Sequence, residues 1–257
     1  MKEIIITKDN GTNHRLINAD FLTVKGLPKP NMILTDLPFN ITAQKWDKLI
    51  PAEDMWDWLS AYRKAVTPVV LFSSAKFSPY LQMSNILGFK YRWVWNKNIK
   101  TNFTNAKRMP LRRLEDINVF YNKQPIYNPQ MSTGHKPTNS AHKSKNGNCY
   151  QGEGKAYEGG VTTRYPDEVL NFNSVPDKFR THSNQKPTEL LRYLVRTYTN
   201  KGDTVLDFTA GSMSLAVACY LEGRNSVCIE MDKEQYNKSI KWVQGCTEED
   251  IYNKEEK

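Results

Sequence analysis

An α/β fold with a mostly parallel sheet and helices on both faces is what three features of this chain predict. Continuous apolar runs recur and end on polar residues. Amphipathic helical stripes lie between them. One long polar segment interrupts the alternation and reads as an insert. Apolar runs of this kind suit strands covered on both sides, and strands alternating with helices imply parallel pairing.

The elements follow in order. "MKEIIITKDNG" has a short apolar run soon broken by Lys8 and Asp9. It reads as a strand and lacks the apolar core and cleavage site of a signal peptide. Strands are predicted over 32–36, 69–74, 91–96 and 116–121, then over 203–209 and 225–232. A helix is predicted over 53–66, with Met55, Trp56, Leu59, Tyr62 and Val66 on one stripe. Similar stripes mark 188–199 and 234–244.

Residues 122–180 form the insert, rich in Lys, Asn, Gly, Ser, Tyr and Pro. It has little to bury, so it is either a solvated loop or a segment that orders on a partner. The halves around it are 1–121 and 181–257. The tail, 247–257, reads as frayed or a short helix.

The 257 residues carry a formal net charge of +9, which favours a polyanionic partner. No stretch is long and apolar enough to span a membrane. Cys149, Cys219, Cys228 and Cys246 show no C-x-x-C spacing and read as free thiols of a reducing cytoplasm. His135, His142 and Cys149 match no usual zinc-ligand spacing, so no metal is expected.

Three separated pieces carry polar chemistry at strand ends, where ligands of open α/β sheets collect. They are "TDLPFN" (35–40), "THSNQKPTELLRYLVRTYT" (181–199) and "VLDFTAGSMSLAVACYLEGRNSVCIEMD" (205–232). In the last, small Ala210, Gly211 and Ser212 let backbone approach a ligand closely. The next strand ends on Glu230, an acid placed to bond a ribose. A single glycine in the turn gives no cradle for a pyrophosphate, and Asp207 suits a cationic or amine-bearing ligand.

These pieces resemble the motifs of the amino-group DNA methyltransferases, which methylate adenine N6 or cytosine N4. "DLPF" (36–39) is similar to their base-site motif, "DFTAGSMS" (207–214) to their cofactor motif and "HSNQKP" (182–187) to a third. "LINADFLTV" (16–24) is similar to a short N-terminal motif around Asp20. The order, base motif first, resembles the family's β-class. The resemblance implies a Rossmann-like class I methyltransferase domain with 122–180 as a target-recognition region. It also implies S-adenosylmethionine as cofactor, double-stranded DNA as substrate, and a bacterial or phage-infected cytoplasm. Members often pair, so a homodimer is a possible assembly.

The resemblance further implies the roles of residues. Asp36 and the Leu37 carbonyl would hold the two N–H bonds of an exocyclic amine, Phe39 would stack on the base and Pro38 would stiffen the turn. Asp20, Gln185, Lys186, Asp207, Thr209, Ala210, Gly211, Ser212 and Glu230 would bind the cofactor. Asp at the first motif position favours adenine. Leu37 stands where the family has Pro, Met213 where it has Gly, and Ser183 and Asn184 where it has Pro and Thr. Met213 is expected to crowd the methionine end of the cofactor.

Other readings stand beside these. Asp36 also reads as a turn residue, Lys186 as a solvated charge, and Glu230 as the partner of a lysine. Trp46, Trp56 and Trp58 read as core or lid. "NAKRMPLRRLED" (105–116) is a phosphate-contacting surface or a solvated basic face. Cytosine N4 methylation, a DNA-binding relative without catalysis, and methylation of RNA or a protein amide are the rival functions.

Overall fold

The computed structural model describes residues 1–39, 47–139 and 159–247. The chain divides into a main unit, Met1–Asn128 with Glu168 onward, and a small unit, Pro129–Asp167. Residues 122–128 and 168–180, read from sequence as insert, fall with the main unit.

The strands are β1 (Lys2–Thr7), β2 (Asn13–Asn18), β3 (Met32–Asp36), β4 (Val69–Ser73), β5 (Phe89–Thr101), β6 (Arg112–Phe120), β7 (Val169–Asn171), β8 (Thr204–Asp207) and β9 (Asn225–Glu230). The helices are α1 (Ala52–Tyr62), α2 (Phe77–Ser84), α3 (Thr188–Tyr198), α4 (Ser214–Leu221) and α5 (Lys233–Gly245). One nine-stranded sheet runs β1-β2-β9-β8-β3-β4-β6-β5-β7. Its centre, β2-β9-β8-β3-β4, is parallel, as is the β5–β7 edge. The pairs β1–β2, β4–β6 and β6–β5 are antiparallel.

Adjacent residues of the central strands point to opposite faces, the two-residue period of a strand. Ile33, Val69, Leu71 and Leu206 pack with Met55 and Leu59 of α1 and Phe77 and Leu81 of α2. Met32, Leu34, Val70, Phe72 and Val205 pack with Leu190, Leu194 and Leu215 of α3 and α4. This two-sided cover is why those strands read as unbroken apolar runs.

Helix α1 stops at Tyr62, four residues short of the predicted end. A turn takes over, with the Thr67 N–H donating to Lys64 O and the Lys64 N–H to Thr67 Oγ1. Pro68 follows and pushes Thr67 away from helical geometry. Val66 is therefore exposed rather than on the buried stripe. Trp56 and Trp58 belong to the core: Trp58 packs edge-on against Phe21 and donates to the Val24 carbonyl. Trp46 lies outside the described residues.

Cys219 and Cys228 are free thiols, and Cys219, Cys228 and Cys246 are all buried. Cys149, His142 and the tail beyond 247 lie outside the described residues. Among the described residues no cluster has metal-ligand composition, and no helix is long and apolar enough to cross a membrane. In the small unit, Ser132 and Arg164 form an antiparallel bridge. The Arg164 guanidinium donates to the carbonyls of Lys136, Val161 and Thr163, tying that unit together.

Candidate active site

Strand β3 leads through α1 to β4 on one side, and β8 leads through α4 to β9 on the other. The boundary between β3 and β8 is therefore the switch point of the sheet, where a crevice opens beyond the strand ends. Asp36 ends β3, Asp207 ends β8 and Glu230 ends β9.

A cavity of about 780 Å³ occupies this crevice. Asp20, Asp36, Leu37, Pro38, Lys186, Asp207, Thr209, Ala210, Gly211, Ser212 and Glu230 all line it. A smaller one, about 290 Å³, is lined by Phe39, Trp95, Lys97, Glu115, Arg180 and Gln185 among others. Leu37 and Lys186 border both. Gln185, expected with the cofactor group, thus lies on the smaller cavity. Its Oε1 accepts from the Thr181 N–H and hydroxyl, closing the loop ahead of α3.

The turn after β8 is tightly held. The Thr35 hydroxyl donates to Asp207 Oδ1 at 2.5 Å, and the Thr209 N–H donates to the same oxygen at 3.2 Å. The Thr209 hydroxyl donates to the Asp36 backbone carbonyl at 3.0 Å. Burial pushes the Asp207 carboxyl up to about 7, against those hydrogen bonds. Gly211 has φ +48°, and its N–H donates to Glu230 Oε2 at 2.7 Å. The Asp232 N–H donates to Glu230 Oε1 at 2.7 Å, so Glu230 is held by backbone amides rather than by a lysine. Burial raises the Glu230 carboxyl. Asp20 caps the turn Phe21–Thr23, accepting from the Leu22 N–H at 3.0 Å.

Met213 has φ +58°, the left-handed conformation that favours glycine. Its side chain is fully buried with Ala210, Ala216, Val217 and Tyr236, and it does not line the cavity. The crowding expected there is absent, because the backbone twist turns the side chain into the core.

Lys186 is not a solvated charge. It is buried, and its Nζ donates to Asp36 Oδ2 at 2.5 Å. The Asp36 side chain is 23% exposed, yet its Oδ1 is buried and accepts no hydrogen bond among the described residues. Burial pushes the Asp36 carboxyl up to about 6; Lys186 opposes the rise, while Glu115 and Asp47 add to it. Burial would depress Lys186, but Asp36 and Glu115 outweigh it and hold the ammonium above its usual range.

The description "DNA methylase", from a model covering the N6 and N4 enzymes, matches residues 31–241. The chain belongs to this family. Its methyl donor is S-adenosylmethionine. The DNA methylase is 26% identical over 243 residues to the DNA adenine methyltransferase YhdJ of Escherichia coli, covering 85% of this chain and 79% of that one. It is 24% identical over 250 residues to the type II methyltransferase M1.MboII of Moraxella bovis, covering 88% and 94%. Its fold is similar to that of M1.HpyAVI with S-adenosylmethionine, at TM-score 0.61 and 21% identity over 89% of this chain and 99% of that one. It is likewise similar to the cytosine-N4-specific PvuII DNA methyltransferase, at TM-score 0.64 and 15% identity over 94% and 92%.

Two polar residues of the methylase site escape the motifs. Glu115 on β6 approaches Lys186, and Lys97 on β5 pairs with Glu115 at 2.8 Å. The available signal was a Lys and a Glu on strands whose neighbours Trp93, Trp95 and Ile117 are apolar.

Proposed function

We propose that this methylase transfers a methyl group to the N6 amino group of adenine in double-stranded DNA, acting on a base turned out of the helix. The observation that carries the reading is the unfilled, buried Asp36 Oδ1: Asp36 lines the larger cavity, and the next residue, Leu37, borders both. An exocyclic amine is a poor nucleophile because its lone pair is delocalised into the ring. Asp36 Oδ1 accepts one N–H and the Leu37 carbonyl accepts the other, which draws the nitrogen toward tetrahedral geometry and frees the lone pair. Phe39 and Trp95 bound the smaller cavity, where the base ring lies. Pro38 limits the freedom of the turn. As the C–N bond would form and the methyl C–S bond break, with S-adenosylhomocysteine leaving, Asp36 would take the departing amine proton.

The larger cavity fits S-adenosylmethionine. Asp20, Asp207, Glu230 and Asp232 give it acidic walls suited to a cation with hydroxyls and an amine, and Gly211 leaves the turn without a Cβ. Asp20, Asp207, Thr209, Ala210, Gly211, Ser212 and Glu230 are the residues that hold it. Once bound, it supplies an electrophilic methyl on a sulfonium. Orientation of the two reactants supplies much of the acceleration.

DNA meets the β5–β6 hairpin. Lys100, Lys107, Arg108 and Arg113 are exposed on it, and no acid occurs between Trp95 and Glu115. The segment 122–180, basic and rich in Tyr and Asn, reads the target sequence. A homodimer rests on the family resemblance, and light scattering of the purified chain tests it.

Adenine is preferred because the motif begins with Asp and because a curated relative carries that specificity in its name. The test is methylation of plasmid DNA with labelled cofactor, followed by digestion to nucleosides. N6-methyladenine is expected. N4-methylcytosine without N6-methyladenine replaces adenine by cytosine as the substrate.

A further inference from the structure

The Asp36–Lys186 pair is one end of a longer line of charge. Lys186 Nζ is 3.6 Å from Glu115 Oε2, and Lys97 Nζ donates to Glu115 Oε1 at 2.8 Å. The order Asp36, Lys186, Glu115, Lys97 alternates in sign and sums to zero. Exposure along it is only 9–23%. Strand pairing builds the far end. Trp95 on β5 faces Glu115 on β6, so Lys97, two residues on, projects from the same face beside Glu115. Glu115 Oε2 is buried without a hydrogen-bond donor among the described residues, as is Asp36 Oδ1.

One ammonium between two carboxylates cannot neutralise both. Alone with Lys186, Asp36 would form a closed pair and become a weak acceptor for an amine. Glu115 draws on the same ammonium from the other side, so the Asp36 carboxylate is less neutralised by Lys186 and stays the more basic acceptor. Lys97, behind Glu115, limits that draw.

We propose that Glu115 and Lys97 are positioning residues for Asp36: they set how much of the Lys186 charge Asp36 receives, and so how well its free oxygen takes an amine proton. This rests on the reading of Asp36 as the group that holds the amine. Neither residue has to touch the base to act. Their charges oppose each other, so their removal moves Asp36 in opposite directions. Asp36 is faced by Lys186 from the loop ahead of α3, Glu115 from β6, Asp47 beyond the base motif and Asp207 from β8. Only Glu115 and Lys97 are altered in the test.

The experiment measures single-turnover methyl transfer to duplex plasmid DNA from pH 4.5 to 9, in wild type, Glu115→Gln, Lys97→Met and the double variant. Alongside it, carbon NMR follows the titration of the Asp36 carboxyl in the full-length chain. Loss of Glu115 is expected to move the acidic limb and the carboxyl titration down by about one pH unit, and loss of Lys97 to move both up by a similar amount. The double variant, which keeps the charge balance if a single variant folds poorly, falls between them. Limbs that coincide with wild type, or move in the same direction, overturn the proposal. A wild-type chain that transfers no methyl to DNA defeats the functional reading instead, and the carboxyl titration still decides whether Glu115 and Lys97 tune Asp36.

Discussion

The Thr209 hydroxyl donates to the backbone carbonyl of Asp36 at 3.0 Å, latching the turn after β8 to the loop after β3. The two motifs are far apart in sequence, and this bond joins them beside those that the Thr35 hydroxyl makes to Asp207 and Thr209. Thr209→Val keeps the branched shape and removes the donor. We predict a stability loss of about 1 kcal/mol and a fall in kcat of roughly tenfold, as the acceptor loses its fixed position relative to the methyl donor. Denaturant melts and single-turnover rates check this; an unchanged rate removes the latch from the chemistry.

Asp36→Ala deletes the free acceptor and leaves the walls of the larger cavity in place. Methyl transfer is expected to vanish while S-adenosylhomocysteine, measured by calorimetry, still binds. Retained turnover eliminates Asp36 as the amine holder. In wild type, the carboxyl must be ionised to accept the amine, and burial places its titration at about 6. Activity therefore falls as pH drops through 6.

The legible parts of this chain are those with one physical demand. Strands β3, β4 and β8 are covered on both faces, so their sequences had to be apolar throughout. Helix α2 escaped because it is short, carries Pro79, and buries only Phe77, Ser78 and Leu81. Strand β2 escaped because "NHRLIN" mixes polar residues into a buried strand: its His14 is fully buried but bonded to Thr12 and Ser226. The site was legible where motifs are contiguous. Lys186 was read with the cofactor group, and its pairing with Asp36 and Glu115 depends on sheet order, which no local pattern encodes. Met213 looked like bulk in a cavity because the sign of its φ angle is invisible in sequence.

Asp207→Asn tests the cost of a buried acid. Both hydrogen bonds reach Oδ1, which an asparagine amide oxygen replaces. The folded carboxyl titrates at about 7, above its usual value of 3.8. The folded state therefore binds the proton more tightly, and wild-type stability falls as pH rises from about 4 to 7. The variant is predicted to gain on the order of 1–3 kcal/mol at pH 8 and nothing below pH 4, while binding S-adenosylhomocysteine more weakly. Equal melting shifts at both pH values refute this.

Met213→Gly sets two effects against each other. Relief of the left-handed backbone is worth about 1 kcal/mol. Loss of a fully buried Met side chain costs about 2–5 kcal/mol. Packing wins, so the melting temperature should drop by several degrees. Rate per folded molecule should hold, since the side chain lies outside the cavity. A higher melting temperature shows that strain dominates.

The hairpin reading makes a prediction about salt. A cation that contacts a phosphate releases counterions on binding, so affinity falls as salt rises, with a slope set by the number of contacts. Lys107 and Arg108 are exposed between β5 and β6, where no acid offsets them. The double variant Lys107→Gln, Arg108→Gln is predicted to bind duplex DNA more weakly and to lower the slope of log affinity against log salt by about 2. Fluorescence anisotropy across a salt series measures both quantities. Weaker binding at an unchanged slope means that these residues act through folding of the hairpin. No change in either returns it to a solvated basic face and leaves the DNA contact to the other cations of the chain.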